Sequence, residues 1–147
     1  MLIQGRDAFQ IPEKEKRSLY GYVEQTFHRV PGTVKDQITL YDDSFTMEEV
    51  REAARIAGLD ATIEQLEKGY DTLCTSEIFS QGQWQLLSIA RAAVAKPKLL
   101  LLDEITANLD AQTEEEVLQA LKRAAEGRTV ISISHRVNAE IGRIIDI

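Results

Sequence analysis

The segment Lys98–Glu104 constrains the fold of this chain more than any other, because four leucines in a row precede an aspartate and a glutamate. Four consecutive apolar residues between turn signals predict a strand buried on both faces, as in a parallel sheet. Open α/β sheets bind their ligands beyond the carboxyl ends of their strands, and buried carboxylates require a partner or a metal ion. Asp103 and Glu104 therefore indicate either a magnesium site with a polarised water or a solvated strand end.

The composition is that of an ordinary globular domain of 147 residues, with 44% hydrophobic and 28% charged residues. A formal net charge of −7 argues against a nucleic-acid partner, because phosphate contacts require clustered Lys and Arg. The basic cluster Lys14–Arg17 is interrupted by Glu15 and predicts a solvated loop. The lone Cys74 excludes an intramolecular disulfide. The longest apolar runs have four residues, far short of a membrane span.

Helix-terminating residues predict a helical region in the middle of the chain. Thr46 and Glu49 have the spacing of a capping box, and Gly58 supplies the stop after an apolar face at helical spacing. Asp60 predicts the N-cap of a second helix and Gly69 its end. The three predicted helical segments are 46–58, 60–69 and 80–95.

The last third of the chain alternates strand, helix and strand. Short apolar runs at 99–102 and 130–134 flank a helical pattern at 113–126, which Gly127 closes. This order is a βαβ unit and predicts a parallel sheet with a right-handed crossover. Leu19–Glu24 predicts a further short strand. The predicted organisation is an α/β core of residues 1–32 and 96–147 and a helical subdomain of residues 33–95.

A second segment with chemical potential is Ser80–Gln83. Its S-x-x-Q spacing is a capping box whatever the function of the protein. The same geometry leaves free N–H groups at the positive end of a helix, and such an end binds anions. The segment therefore has a structural and a functional interpretation that do not exclude each other.

Five segments follow one another in an order that is specific to one family. They are Val23–Gln25, Phe79–Gln83, Leu99–Glu104, Ala107–Asp110 and Ser134–His135. In this order they resemble the Q-loop, signature motif, Walker B strand, D-loop and switch histidine of the nucleotide-binding domain of ABC transporters. Pro31–Ile38 is similar to the segment that follows the Q-loop in exporter-type members.

The resemblance implies a fold, a reaction and partners. The expected fold is α/β, a partial P-loop NTPase-type core with a parallel sheet, plus an all-helical insert subdomain that carries the signature motif. The implied activity of the parent protein is ATP hydrolysis with Mg²⁺, which powers transmembrane export. The implied partners are a second nucleotide-binding domain, in a head-to-tail dimer, and the transmembrane domain of the transporter. Through that domain, the chain is expected at the cytoplasmic face of the cell membrane.

The resemblance also assigns catalytic roles. It implies that Asp103 holds magnesium through water and that Glu104 polarises the attacking water as general base. His135 would donate to a γ-phosphate oxygen. Gln25 would sense the magnesium and the water and contact the transmembrane partner. Without the flanking motifs, a histidine at a strand end and an amide in a loop are ordinary structural features.

The signature segment is expected to act across the dimer. By resemblance, Ser80, Gln81, Gly82 and Gln83 face the γ-phosphate of ATP held by the opposing subunit, although Gln81 stands where the family usually has glycine. Asp110 is expected either to cap the following helix or to communicate across the dimer. Cys74–Ile78, just before the signature, is shorter than in exporter-type members and contains no glycine. That departure bears on coupling to the membrane domain rather than on the ATPase assignment.

The P-loop pattern G-x-x-x-x-G-K-[ST] does not occur in this sequence, because none of its eight glycines is followed by lysine. The chain is therefore expected to be a fragment of a longer protein and to be inactive alone. Two alternatives stay open. One is a non-enzymatic partner module that supplies the signature motif in trans, and the other is a soluble, non-transport ABC ATPase.

Overall fold

The structure, a computed structural model, describes residues 2–3, 6–7, 10–24, 26–103 and 109–133. Its strands are β1 (Leu2–Ile3), β2 (Arg6–Asp7), β3 (Tyr20–Val23), β4 (Leu99–Asp103) and β5 (Thr129–Ile133). Its helices are α1 (Glu13–Leu19), α2 (Val34–Thr39), α3 (Met47–Ala57), α4 (Asp60–Glu64), α5 (Gln81–Ala93) and α6 (Ala111–Ala125), and a 3₁₀ turn spans Gly69–Asp71.

The larger sheet contains, within the described residues, three parallel strands in the order β3-β4-β5. Leu99 at the start of β4 pairs with Tyr20 on one side and with Thr129 on the other. Helix α6 connects β4 to β5, so the predicted βαβ unit and its parallel sheet are confirmed. Because the strands are parallel, their carboxyl ends meet at one edge of the sheet, and Asp103 ends β4 at that edge.

Strand β4 is buried on one face rather than on both. Leu100 and Leu102 are 1% and 4% exposed, whereas Leu99 and Leu101 are half-buried. The buried leucines belong to the same apolar cluster as residues of α5 and α6. The prediction of burial on both faces is therefore wrong for the described residues, because the helices pack on the Leu100 side of the strand.

The helix starts at Thr46 and Ser80 are confirmed, and α3 ends as predicted at Gly58, whose φ is 78°. Helix α6 begins earlier than predicted, at Ala111, because the carboxylate of Asp110 accepts a hydrogen bond from the N–H of Thr113.

The predicted second helix differs at both ends. The N-cap of α4 is Leu59, and Asp60 is its first helical residue. The Asp60 carboxylate accepts a hydrogen bond from the Tyr70 hydroxyl and forms an ion pair with Arg51, so it is not used as a cap. Helix α4 ends at Glu64, and Gly69 opens the 3₁₀ turn with a φ of 54°.

The basic cluster Lys14–Arg17 lies in helix α1 and not in a solvated loop. Arg17 is partly buried and donates hydrogen bonds to the carbonyl oxygens of Ile38, Thr39 and Arg91. These acceptors are 21, 22 and 74 residues away in sequence. The local charge pattern could therefore not predict these hydrogen bonds. The prediction of a loop is wrong because the guanidinium finds tertiary partners.

The apolar core joins the sheet to the helices. Its largest fully buried side chains are Ile38, Leu59, Ile63, Leu87, Ile89 and Leu100. They come from both parts of the predicted organisation, and the division into residues 1–32 with 96–147 and residues 33–95 stays a prediction. Among the described helices, none combines the length and apolarity needed to cross a bilayer.

Candidate functional site

The amino-terminal end of α5 is built by a complete capping box. Ser80 Oγ accepts a hydrogen bond from the N–H of Gln83 at 3.2 Å, and Gln83 Oε1 accepts one from the N–H of Ser80 at 2.9 Å. The first N–H groups of a helix have no intrahelical acceptor, and those of Gln81 and Gly82 have no acceptor among the described residues. The helix start therefore presents N–H donors and the positive end of the helix dipole, which suits an anion.

Gly82 allows α5 and α6 to approach each other closely. A Cβ atom at Gly82 would lie 2.2 Å from Cγ2 of Thr113, in the first turn of α6. Residue 82 is buried, and any larger side chain would collide with Thr113 unless the Thr113 side chain rotated or one of the helices moved. The glycine of the predicted signature thus has a packing role that sequence analysis did not identify.

Asp110 caps the start of α6. Its carboxylate accepts hydrogen bonds at 2.8 Å from both the backbone N–H and the hydroxyl of Thr113. These hydrogen bonds, the backbone one first, lower the pKa of Asp110 below its usual value. The capping role expected for Asp110 is confirmed, whereas its role in communication across a dimer stays a prediction.

Asp103 lies at the carboxyl edge of the sheet, next to a tyrosine that sequence analysis did not assign to the site. The hydroxyl of Tyr22, on β3, donates to Oδ2 of Asp103 at 3.0 Å. This hydrogen bond raises the pKa of Tyr22 above its ordinary value. Sequence spacing gives no sign of the contact, since the two residues are 81 positions apart. A signal was available in the two predicted strands, because Tyr22 and Asp103 lie within the last two residues of neighbouring strands of one parallel sheet.

The donors fit a magnesium ion that arrives with a nucleotide. Mg²⁺ is bound through one or two carboxylates, with substrate phosphates and waters completing its shell. Asp103 supplies one such carboxylate, and no group of three or more His, Cys, Asp or Glu residues is gathered anywhere in the described part of the chain. A cation held mainly by ATP phosphates does not need three protein ligands. The carboxylate of Asp103 therefore fits Mg²⁺ that is bound together with ATP.

Three of the predicted site residues, Gln25, Glu104 and His135, lie outside the described residues, as do Ala107, Asn108 and Ser134. The structure brings Gly82 together with Thr113, and Asp103 together with Tyr22. Within the described residues, no hydrogen bond or ion pair joins Asp103 to the start of α5. The roles of all these residues in catalysis stay predictions.

Two partly buried arginines that sequence analysis did not assign stabilise the carboxyl end of α2. Arg91 donates to the carbonyl oxygens of Gln37 at 2.6 Å and His28 at 2.9 Å, and Arg17 donates to those of Ile38 and Thr39. Positive charge at a helix carboxyl end complements the helix dipole. Burial, and then the nearby Arg17, lower the pKa of Arg91 to about 10.

An open groove of about 1110 Å³ lies above these arginines. Its rim includes Leu40 and Tyr41, which are 37% and 54% exposed and follow α2 with φ angles of 53° and 65°. Such left-handed backbone is costly for residues other than glycine. Its wall carries carboxylates as well, including Glu24 and Asp42. The groove thus combines exposed apolar side chains with charge of both signs.

A stack of rings connects the groove to the start of α5. The guanidinium of Arg91 lies 4.1 Å from the centre of the Phe27 ring, whose other neighbour, Trp84, is stacked at 5.3 Å. Phe79, just before the signature, meets Trp84 edge-on at 5.2 Å. Trp84 is the only tryptophan of the chain and lies in the first turn of α5.

Comparison with known proteins identifies relatives of this chain. The family model described as ABC transporter matches residues 1–107. The chain is 42% identical over 140 residues to the uncharacterized ABC transporter ATP-binding protein YfiC of Bacillus subtilis, an alignment covering 94% of this chain and 23% of that protein. It is 41% identical over 143 residues to the ABC multidrug transporter MDR2 of Trichophyton rubrum, covering 94% of this chain and 10% of the relative.

A solved structure has the same fold. It is that of a bacterial Atm1-family ABC exporter with ATP bound, which superposes with a TM-score of 0.72 at 35% identity. The match covers 92% of this chain and 24% of the exporter chain, so this chain spans less than a quarter of the length of the relatives described. On the order of its motifs, its fold and these matches, the chain belongs to the ABC transporter family, with the P-loop NTPase-type α/β fold that its motifs predict.

Proposed function

We propose that this chain is part of the ATP-hydrolysing unit of an ABC exporter and that it supplies the signature and Walker B groups of the ATP sites. The observation that carries the proposal is the start of α5, where the Ser80–Gln83 capping box leaves N–H donors of Gln81 and Gly82 without an acceptor among the described residues. A helix start of this kind suits a phosphate group. The ATP-binding relatives support the nucleotide as its source.

At one ATP site, residues of this chain would hold the metal ion and activate the attacking water. Asp103 would hold Mg²⁺ through water, and Glu104 would accept a proton from the attacking water. The ion, when bound with ATP, neutralises charge that develops on the transferring phosphoryl group. His135 would donate to a γ-phosphate oxygen, and Gln25 would orient the ion and the water.

The signature residues would act on the other subunit's nucleotide. In the proposed head-to-tail dimer, Ser80, Gln81, Gly82 and Gln83 of one subunit face the γ-phosphate held by the second nucleotide-binding domain. The contact between Gly82 and Thr113 keeps this end of α5 fixed against α6. A fixed donor set is what stabilisation of transition-state charge requires.

The groove beside α2 is the proposed docking place for the transmembrane domain. It presents exposed Leu40 and Tyr41 next to the partly buried Arg17 and Arg91. Exposed apolar side chains with a polar rim are typical of protein interfaces. The proposal places the chain at the cytoplasmic face of the membrane, attached through that domain.

The experiment is steady-state ATP hydrolysis by a purified exporter that carries this segment. Glu104→Gln should lower turnover at least about a hundredfold, in the upper range for loss of a general base, while ATP binding is retained. The matched control is Glu116→Gln on the exposed surface of α6, which should leave turnover unchanged. Normal turnover by the Glu104 variant, or loss of its ATP binding, would contradict the assigned role.

The same experiment separates the alternatives. The purified 147-residue chain alone should show no Mg²⁺-dependent turnover, since its sequence has no glycine–lysine pair to form a P-loop. Turnover by the isolated chain that Glu104→Gln abolishes would overturn this expectation. A non-enzymatic partner module would be indifferent to Glu104→Gln in every assembly. A non-transport ATPase would be sensitive to it without any transmembrane partner.

A further inference from the structure

The strand that carries Tyr22 directs its side chain toward Asp103 at the carboxyl edge of the sheet. Its neighbour Val23 is 1% exposed and anchors β3 in the core, so Tyr22 must lie on the opposite face of the strand. Tyr22 pairs with Leu101, and side chains two positions apart in a strand share a face, which places Asp103 on the same side as Tyr22.

Close packing holds β3 in this register. A Cβ atom at Gly21 would lie 2.9 Å from the carbonyl oxygen of Ala92 in α5 and 3.1 Å from Cδ2 of Leu100 in β4. The backbone of β3 therefore lies tightly between the helix and the next strand. The position of the Tyr22 ring follows from this packing, and its hydroxyl reaches Oδ2 of Asp103 at 3.0 Å.

We infer that Tyr22 is a positioning residue, which orients the Asp103 carboxylate for the nucleotide-bound magnesium. The inference rests on the proposed function, because it takes Asp103 as the metal-binding carboxylate. Carboxylates that bind metal ions are themselves hydrogen-bonded, and loss of such a partner typically weakens metal affinity 10–100-fold. The hydrogen bond from the Tyr22 hydroxyl to Oδ2 limits rotation of the Asp103 carboxylate. The other oxygen, Oδ1, is then held in one orientation.

The ring of Tyr22 is packed less tightly by the described residues than its strand neighbours are. It is 45% exposed, unlike its buried neighbours Gly21 and Val23. Tyr22→Phe therefore removes the donor and keeps the ring and the strand. Tyr20→Phe is the matched control, because Tyr20 lies on the same face of β3 and pairs with Leu99, at the far end of β4 from Asp103.

The test is Mn²⁺ affinity, measured by electron paramagnetic resonance in a purified full-length exporter that carries this segment, with ATP bound and Glu104→Gln present to prevent turnover. Tyr22→Phe should weaken Mn²⁺ affinity about 10-fold or more, and Tyr20→Phe should leave it unchanged. ATP binding in the presence of EDTA should be the same in all variants. Asp103→Asn serves as the reference for loss of the metal-binding carboxylate.

The outcomes are distinct. Weakened Mn²⁺ affinity in both the Tyr22 and the Asp103 variants, with ATP binding intact in EDTA, supports the inference. Normal affinity in Tyr22→Phe together with weakened affinity in Asp103→Asn overturns it and leaves the proposed function in place. Normal affinity in both variants overturns the inference together with the metal-binding role of Asp103. Equal weakening by Tyr20→Phe would also overturn it, because the effect would then belong to the strand.

Discussion

The carboxyl end of α2 and the amino end of α5 both carry helix-dipole charge, but among the described residues only the α2 end has partners that neutralise it. At α2, Arg17 and Arg91 donate to the carbonyl oxygens of the last turn. At α5, the capping box uses the N–H of Gln83, while those of Gln81 and Gly82 find no acceptor in the described part of the chain. The first end is a structural device, and the second has capacity to bind an external anion.

The two helix ends illustrate a difference between polar groups that are paired within the fold and polar groups that we propose serve function. Arg91 carries positive charge beside the groove, yet it donates hydrogen bonds to the backbone carbonyls of His28 and Gln37 and to the side-chain oxygen of Gln37, so its donors are used within the fold. The side chains of Ser80 and Gln83 each accept a hydrogen bond from the other residue's backbone N–H. The N–H groups of Gln81 and Gly82, between them, are not used by this capping box. A similar contrast holds for Asp110, which serves as a cap, and Asp103, which lies at the end of a strand near an exposed tyrosine.

The largest expected effect on stability is at the α2 end. Arg91→Leu should lower the free energy of unfolding by about 1–3 kcal/mol, because the carbonyl oxygen of the buried Gln37 loses its charged donor. Arg55→Leu is the control, since Arg55 is exposed and its ion pairs with Glu48, Glu52 and Asp60 are surface interactions whose loss should cost clearly less. Urea denaturation of both variants measures the difference. Equal losses would mean that Arg91 is not a structural cap.

A smaller effect is expected where the two helix starts meet. Gly82→Ala should lower the free energy of unfolding by up to about 2 kcal/mol, since overpacking costs about 1–3 kcal/mol and alanine regains about 1 kcal/mol of helix propensity. Adding Thr113→Ser removes Cγ2, the atom 2.2 Å from the new Cβ, and keeps the hydroxyl that donates to Asp110. The double variant should regain the loss. A single variant as stable as the original would show that the contact is easily relieved.

The smallest expected effect is the pH dependence of the α6 cap. The folded pKa of Asp110 is lowered, so its stabilising contribution is complete above the unfolded pKa, about 3.8, and is lost as the pH falls through the folded pKa. Asp110→Asn keeps a capping oxygen and does not titrate. Thermal melts from pH 5 to pH 2.5 should show a slightly steeper acid loss for the original chain than for the variant. Parallel melting curves would contradict the cap's charge dependence.

Local signals were sufficient for the starts of α3 and α5 and for the βαβ unit. Thr46 with Glu49 and Ser80 with Gln83 form their boxes within four residues, so spacing alone identifies them. The box of Thr33 with Asp36 at the start of α2 has the same kind of signal and was not identified. This box would have been identified from the sequence if Asp, as well as Glu or Gln, had been allowed at the third helical position.

The remaining features depend on contacts that are distant in sequence. Arg17 reaches Arg91 across 74 positions, and Tyr22 reaches Asp103 across 81. Asp60 was assigned as a cap from its local context, but Tyr70 and Arg51 compete for its carboxylate. The one-sided burial of β4 likewise depends on where the helices pack, which the leucine run itself does not specify.

The central functional expectation is that the start of α5 faces the γ-phosphate of ATP. The most direct test is photolabelling of a Glu104→Gln exporter carrying this segment, with ATP whose γ-phosphate bears an aryl azide, followed by mass spectrometry of the adducts. We expect Mg²⁺-dependent adducts within residues 80–83, which unmodified ATP should suppress. Adducts that form elsewhere in the protein and are absent from residues 80–83 would contradict the assignment of the α5 end to the ATP site.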